Sequence, residues 1–293
     1  VAGERAGESH GRSEARDERS AHGTVFWMEA VGLTADQDPR AGSYGYGFDL
    51  AQFALGVDRA IGSDARVGLA FGYSTTDLDQ PGLGSAADLD SVHAGVYALL
   101  TSGRLSLDGQ LTYARHGIDV SRRIVTGNAS ARTAAGETHA DEVRGSATAG
   151  YVVSEGTTTL RPYGSLSYVS VSQDDLGERG AGDAGLQVAD GTFEAFTGTI
   201  GLDARWTLGG VRPFADIAMS HDLAREGWAI TTRMIGGGSP MVVHGAKAGR
   251  TAGIGHFGVA ATVGGLDLSA GYRLELREAF PSHAATASLS YRW

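Results

Sequence analysis

From Val25 onward the chain alternates apolar and polar residues with a period of two, in short runs separated by glycine-rich or polar breaks. Side chains of an extended strand point to its two faces in turn, so each run reads as a strand with one apolar and one polar side. Val67, Leu69, Phe71 and Tyr73 share a face, opposite Arg66, Gly68, Ala70, Gly72 and Ser74. Leu105, Leu107, Leu111 and Tyr113 oppose Ser106, Asp108, Gln110 and Thr112. Phe196, Ile200, Leu202, Ala204 and Trp206 oppose Thr197, Thr199, Asp203 and Arg205. Leu266, Leu268, Ala270, Tyr272, Leu274 and Leu276 oppose Asp267, Ser269, Arg273, Glu275 and Arg277. One run, Tyr163 to Ser172, changes phase near Tyr168–Val169, which predicts a β-bulge there.

Twelve runs are predicted, at 25–35, 45–61, 65–77, 89–100, 104–125, 138–153, 160–173, 186–208, 211–234, 250–263, 266–277 and 283–293. Many reach 11 residues or more. Strands of soluble proteins most often have about 5–6, and tilted strands that cross a bilayer need about 9–11. The breaks alternate as well. Tight links fall at 62–64, 101–103, 155–158, 209–210 and 264–265, whereas 36–43, 78–88, 126–137, 174–185 and 235–249 are longer. All tight turns then lie at one end of an antiparallel meander and all long loops at the other, an asymmetry typical of outer-membrane barrels.

Alternation alone leaves two arrangements open. In a soluble β-sandwich or up-and-down barrel the apolar face turns inward; in a membrane barrel it turns outward to lipid. Run length, the even number of runs and the loop asymmetry favour the second. Composition adds little against it. The 293 residues include 45 glycines and no cysteine, which excludes a disulfide framework, a zinc–thiolate site and a cysteine nucleophile. No window of about 18 apolar residues exists, so no transmembrane helix is expected. A net charge of −10 with no basic block argues against nucleic acid as a partner. Residues 1–23 contain almost nothing able to build a core, and their start, Val1-Ala2-Gly3-Glu4, has no signal-peptide pattern.

The last residues, His283-Ala-Ala-Thr-Ala-Ser-Leu-Ser-Tyr-Arg-Trp293, put Leu289, Tyr291 and Trp293 on one face. This terminal strand resembles the β-signal of outer-membrane proteins. Three internal stretches extend the likeness: Leu160-Arg-Pro-Tyr-Gly-Ser-Leu-Ser-Tyr-Val-Ser-Val through Gly177-Glu-Arg-Gly-Ala, then Val211-Arg-Pro-Phe-Ala-Asp, then Gly245-Ala-Lys-Ala-Gly-Arg-Thr-Ala-Gly-Ile-Gly. Together with the twelve runs, they make the chain from about residue 12 resemble the C-terminal translocator domain of monomeric type V autotransporters.

That resemblance implies an all-β transmembrane barrel of about twelve antiparallel strands at 24–293, with a linker helix at 1–23 inside the pore. It implies export and anchoring of an N-terminal passenger domain across the Gram-negative outer membrane, with long loops outside and the C-terminus periplasmic. The implied partners are the passenger, the barrel-assembly machinery that reads the C-terminal signal, periplasmic chaperones and membrane lipid; the barrel would be monomeric. Strand phase makes Glu29, Asp58, Arg66, His93, Asp108, Glu142, Arg144, Asp203, Arg205, Asp216, Arg273, Glu275 and Arg292 the expected lumen-facing polar residues. Arg12, Arg16 and Arg19 would form an arginine stripe on a helix over residues 8–20, facing lumen carboxylates; the composition of this segment equally permits a disordered polar tail. Some relatives cut their linker at an Asn–Asn bond; Asn128 is the single asparagine here, so that route is chemically closed.

Enzyme signatures are sparse. The His221-Asp222 neighbours point to opposite faces of a strand and cannot form one dyad. Nucleophile-elbow, HExxH and EF-hand patterns are missing, and no cofactor, metal or catalytic residue is expected. Two rival readings are compatible with the same sequence: a monomeric porin-like channel of 12–14 strands, and an outer-membrane enzyme or adhesin acting through its long loops.

Overall fold

The computed structural model describes residues 23–37, 39, 44–125, 131–225, 229–244, 249–278 and 280–292. The expected pore helix, with Arg12, Arg16 and Arg19, lies outside the described residues, as do Asn128 and Trp293. Seven strands follow one another as an antiparallel meander: β1 (Thr24–Gln37), β2 (Tyr46–Ile61), β3 (Ala65–Gln80), β4 (Ser85–Ser102), β5 (Leu105–Ile124), β6 (Arg132–Tyr151) and β7 (Thr158–Gln173). Two short strands come next, β8 (Leu176–Gly177) and β9 (Leu186–Val188), before the long β10 (Gly191–Trp206) and β11 (Val211–Arg225). Another short pair, β12 (Ala229–Met234) and β13 (Met241–His244), precedes β14 (Thr251–Val263), β15 (Leu266–Arg277) and β16 (Ser282–Arg292).

The twelve long strands form one closed barrel in the order β1-β16-β15-β14-β11-β10-β7-β6-β5-β4-β3-β2. Closure is made by β1 and β16, paired from Val25↔Arg292 to Ala35↔Ser282. Each hairpin at the tight-turn end uses one or two glycines in the left-handed region, among them Gly62, Gly103, Gly209, Gly264 and Gly265, where a Cβ would strain the turn.

The polarity of the wall is inverted relative to a soluble protein. Ile217 is 64% exposed while its neighbour Asp216 is 4% exposed, and Val92 is 58% exposed beside Ser91 at 4%. The outer face carries Val67, Leu69, Phe71 and Tyr73 on β3, and Leu105, Leu107, Leu111 and Tyr113 on β5, as the sequence pattern expects. About ten residues per strand at ~3.3 Å each, tilted by ~40°, give an apolar band of roughly 25 Å, the height of an outer-membrane hydrocarbon layer.

Above that band the strands continue where the sequence pattern stops. β3, β4 and β6 run to Gln80, Ser85 and Arg132, whereas periodicity ended these runs at 77, 89 and 138. The reason is that the outer face turns polar there. Asp49↔Asp77, Asp77↔Asp88, Asp88↔Asp119 and Asp119↔Glu137 are direct register partners, so five exposed carboxylates form one row across β2 to β6. Just below it, Tyr73 donates to Asp90, Tyr113 to Asp141 and Tyr168 to Glu194, each joining one strand to the next at the upper edge of the apolar band.

Three expectations are corrected. No bulge exists at Tyr168–Val169: β7 keeps continuous register with both neighbours, and the irregularity falls instead between Phe196 and Thr197 in the β10–β11 pair. The apparent phase change arises because Val169 and Val171 face inward, against Phe193 and Ala195. The runs 186–208 and 211–234 overreach the barrel, since residues 186–188 and 229–234 are β9 and β12 of a separate sheet. That four-stranded sheet, ordered β13-β12-β9-β8, also occupies parts of 174–185 and 235–249 that the sequence assigned to loops.

Like charges directly opposite on neighbouring strands repel. Asp88→Asn, in the middle of the carboxylate row, is expected to raise the thermal unfolding midpoint of the detergent-refolded barrel at low ionic strength. Added salt should erase the gain by screening; a gain that persists at high salt would trace to something other than charge.

Candidate functional site

The inner wall is identified by contacts that skip strands. Trp27 on β1 donates its indole N–H to the Tyr97 hydroxyl on β4 at 2.6 Å, passing over β2 and β3. Such a chord is possible only on the concave side. Two glycines make room for it: a Cβ at Gly56 would collide with the Trp27 ring, and one at Gly68 with the Tyr97 ring. The Tyr97 hydroxyl donates in turn to Asp58 at 2.9 Å, and Asp58 accepts from Arg66 at 2.7 Å. Arg66 also reaches the Gly23 carbonyl at 3.3 Å, so it binds the backbone where the N-terminal segment joins β1.

A charged belt crosses the other half of the wall. Arg161, Asp203, Asp216, His256 and Arg273 are register partners in sequence from β7 through β10, β11 and β14 to β15. Asp203 and Asp216 stand opposite each other, yet each has its own donor: Arg205 for Asp203 at 3.0 Å, and the Tyr163 hydroxyl for Asp216 at 3.1 Å. Arg161 lies over Gly150 to reach Ser106 at 3.1 Å and Asp108 at 3.9 Å. Higher up, Asp222 accepts from Arg225 and Arg277, both at 2.9 Å, and from Thr197 at 3.1 Å. Glu275 sits between Arg273 and Arg277. Buried carboxylates are tolerated on such a wall because each is matched to a cation or hydroxyl.

The β3–β6 sector carries two further imidazoles. Ser74 shares a hydrogen bond with His93 at 2.9 Å, Ser91 with His116 at 2.7 Å, and Glu142 pairs with Arg144 at 2.8 Å. Asp108, Glu142, Arg144, Asp203, Arg205, Asp216, Arg273 and Glu275 thus all fall in the less exposed of the two alternating sets. They make no single constellation; they are spread over the height of the wall. Leu289 and Tyr291 lie on the opposite, outer set, paired with Met28 and Phe26 of β1.

Sequence reasoning missed two kinds of inner residue. One is aromatic: Trp27, Tyr97, Tyr163 and Phe214 each lie against glycines of neighbouring strands, Phe214 against Gly258 and Gly271. An isolated aromatic on a polar face, with glycines on the polar faces of nearby runs, is the signal that would have found them. The other is aliphatic. Near the long-loop end Leu33, Ala35 and Ala284 cluster with Phe48, Leu50 and Phe280, and half a circumference away Val169 and Phe193 pack together.

At that same end the segment after β7 folds over the wall. Glu178 accepts two bonds from Arg122, at 2.6 and 3.0 Å, and one from the Leu186 N–H at 2.7 Å. Arg179 exchanges both backbone bonds with Ala135, so the segment covers the upper edge of β6 that β7 leaves free.

The His221-Asp222 neighbours do not form a dyad. His221 bonds Thr251 on the outer face while Asp222 is held by arginines inside. Among the described residues no three His, Asp or Glu side chains converge on a metal position. The wall can line, charge and fill a pore.

Gly258→Ala would drive a Cβ into the Ala270 carbonyl and the Phe214 ring. Backbone cannot yield as a flexible side-chain tip does, so a loss of about 1–3 kcal/mol is expected. A lower melting temperature of the heat-modifiable folded band on a gel would register it.

Comparison with known proteins agrees with this geometry. The family model described as "Autotransporter beta-domain" matches residues 26–273. An extracellular serine protease of Serratia marcescens is 30% identical over 208 residues, which are 70% of this chain and 20% of that protein. The chain therefore spans about one fifth of the length of the curated relatives it matches. Among solved structures, the translocator domain of the autotransporter NalP from Neisseria meningitidis superposes with a TM-score of 0.76 at 18% identity, covering 92% of this chain and 88% of that one. The β-domain of the Bordetella autotransporter BrkA gives 0.66 at 19% identity, covering 92% and 99%. At such identities the two structures share a fold with this chain, while the family match spans most of the barrel sequence. The chain belongs to the autotransporter β-domain family and is a translocator barrel of type V secretion in an outer membrane.

Proposed function

We propose that the barrel exports its own N-terminal passenger through the pore, keeps it anchored, and is then filled by residues 1–23 as a helix. The observation that carries this reading is the hold on Gly23. Its carbonyl accepts from Arg66 at 3.3 Å and from the Ala60 N–H at 3.2 Å, at the tight-turn end. From that anchor the preceding residues would enter the polar interior. Arg19, Arg16 and Arg12 precede Gly23 by 4, 7 and 11 residues. On a helix they would rise by about 6, 10 and 16 Å. Asp58, Asp108 and Asp203 are three residues in from their strand ends, and Asp216 five. Allowing for strand tilt, those carboxylates stand roughly 8–13 Å up the wall. On such a helix the arginine stripe and the carboxylates would share a level.

In this reading the tight turns and the C-terminus are periplasmic and the long loops extracellular. The terminal strand, with Leu289, Tyr291 and Trp293, is what the barrel-assembly machinery reads after periplasmic chaperones deliver the chain. The barrel works as a monomer, since closure leaves no edge in the membrane wall for a second copy to pair with. It performs no catalysis; any activity like that named for the serine protease relative resides in the passenger.

Two experiments test this. Deleting residues 1–22 is expected to raise single-channel conductance in planar bilayers severalfold, and unchanged conductance would remove the plug from the account. Because the chain has no cysteine, a single one at Ser63 or Ser239 can be labelled with a membrane-impermeant maleimide on intact cells. Labelling at Ser239 alone is expected; labelling at Ser63 alone would invert the orientation.

A further inference from the structure

The lipid-facing side of the barrel is not uniform. Near the tight-turn end an apolar groove of about 660 Å³ runs across β2 to β5. Its walls are Val67, Leu69, Val96 and Leu111, and its floor is shallow because Ala98 and Gly109 are direct partners on the outer face. A Cβ at Gly109 would meet nothing nearer than the Ser146 carbonyl at 4.0 Å, so the floor is open outward.

Arg59 stands at the rim of the groove, on the row Arg59–Val67–Ala98–Gly109. Its side chain is exposed on the outer face, and among the described residues it makes no hydrogen bond or ion pair. This is unlike the arginines of the inner wall, such as Arg66, Arg144, Arg205 and Arg277, which are matched to carboxylates. A guanidinium at the edge of a hydrocarbon layer, on the tight-turn side of an open apolar trough, is complementary to a group with an anionic head and an alkyl tail.

We propose that this groove is a specific phospholipid site: the lipid phosphate rests on Arg59 and one acyl chain lies over Ala98 and Gly109. The site pins one lipid to the β2–β5 face at the tight-turn end of the barrel. The carboxylate row at the other end of the same face excludes a second phosphate from the opposite leaflet position, so the site has a single polarity.

Native mass spectrometry of the full 293-residue chain, refolded in detergent and titrated with phosphatidylglycerol, tests the proposal. One lipid adduct per barrel is expected, with diacylglycerol of the same chains binding more weakly and inorganic phosphate failing to displace the phospholipid. Arg59→Gln should lower the adduct about fivefold, the effect of removing one basic group from an anionic lipid. Ala98→Phe, which fills the floor from the lipid side, should lower it while leaving Arg59 in place. Equal adduct in the parent and in Arg59→Gln, or loss of the adduct to inorganic phosphate, would overturn the site in favour of annular lipid or a simple anion. Heat-modifiable migration reports folding of each variant, and if Ala98→Phe fails to fold, the exposed Arg59→Gln decides alone.

Discussion

Everything in this molecule follows from a backbone that must satisfy its own hydrogen bonds where no water is present. Inside a hydrocarbon layer an unpaired N–H or C=O costs several kcal/mol. A sheet meets that demand only by closing on itself, and the eleven register pairs between β1 and β16 do so here. Once the ring is closed, the alternation of side chains is no longer a choice between core and water. It becomes a choice between lipid outside and whatever fills the middle.

The inner wall shows how a polar interior is held in order without a hydrophobic core. Its carboxylates are matched to arginines and hydroxyls, and its large rings lie flat across strands whose own positions are glycine. These glycines serve close approach more than turning: Gly56, Gly68, Gly258 and Gly271 leave the space that Trp27, Tyr97 and Phe214 occupy. Part of the high glycine content is thereby explained by packing inside the ring, and another part by the tight hairpins.

The strands that cross lipid were legible in the sequence because lipid imposes a strict apolar period on their outer face. Leu69 to Tyr73 and Leu268 to Tyr272 are readable for that reason. Where the constraint ends, legibility ends. Above the band, Asp77, Asp88 and Glu137 occupy outer positions, so β3, β4 and β6 outrun the pattern that announced them. Val169 and Val171 defeated the pattern differently, by putting aliphatic residues on the inner face and imitating a change of phase. In the small sheet, β9 and β12 merge into the runs of the barrel strands beside them, while β8 and β13, at two and four residues, are too short to show a period and pass for loop. Among the inner residues, charged ones could be picked by phase alone; their partners could not. Partnership depends on which strands become neighbours and on chords such as Trp27 to Tyr97, which the one-dimensional pattern does not encode.

The outer surface carries a waterline. Carboxylates in a row across β2 to β6 float at one margin of the apolar belt, and Arg59 marks the other. Riding too deep would submerge the acids in oil; riding too high would drag the guanidinium in after them. The barrel is therefore ballasted along its axis, with a fixed draught in a membrane of matching thickness, before any partner takes hold of it.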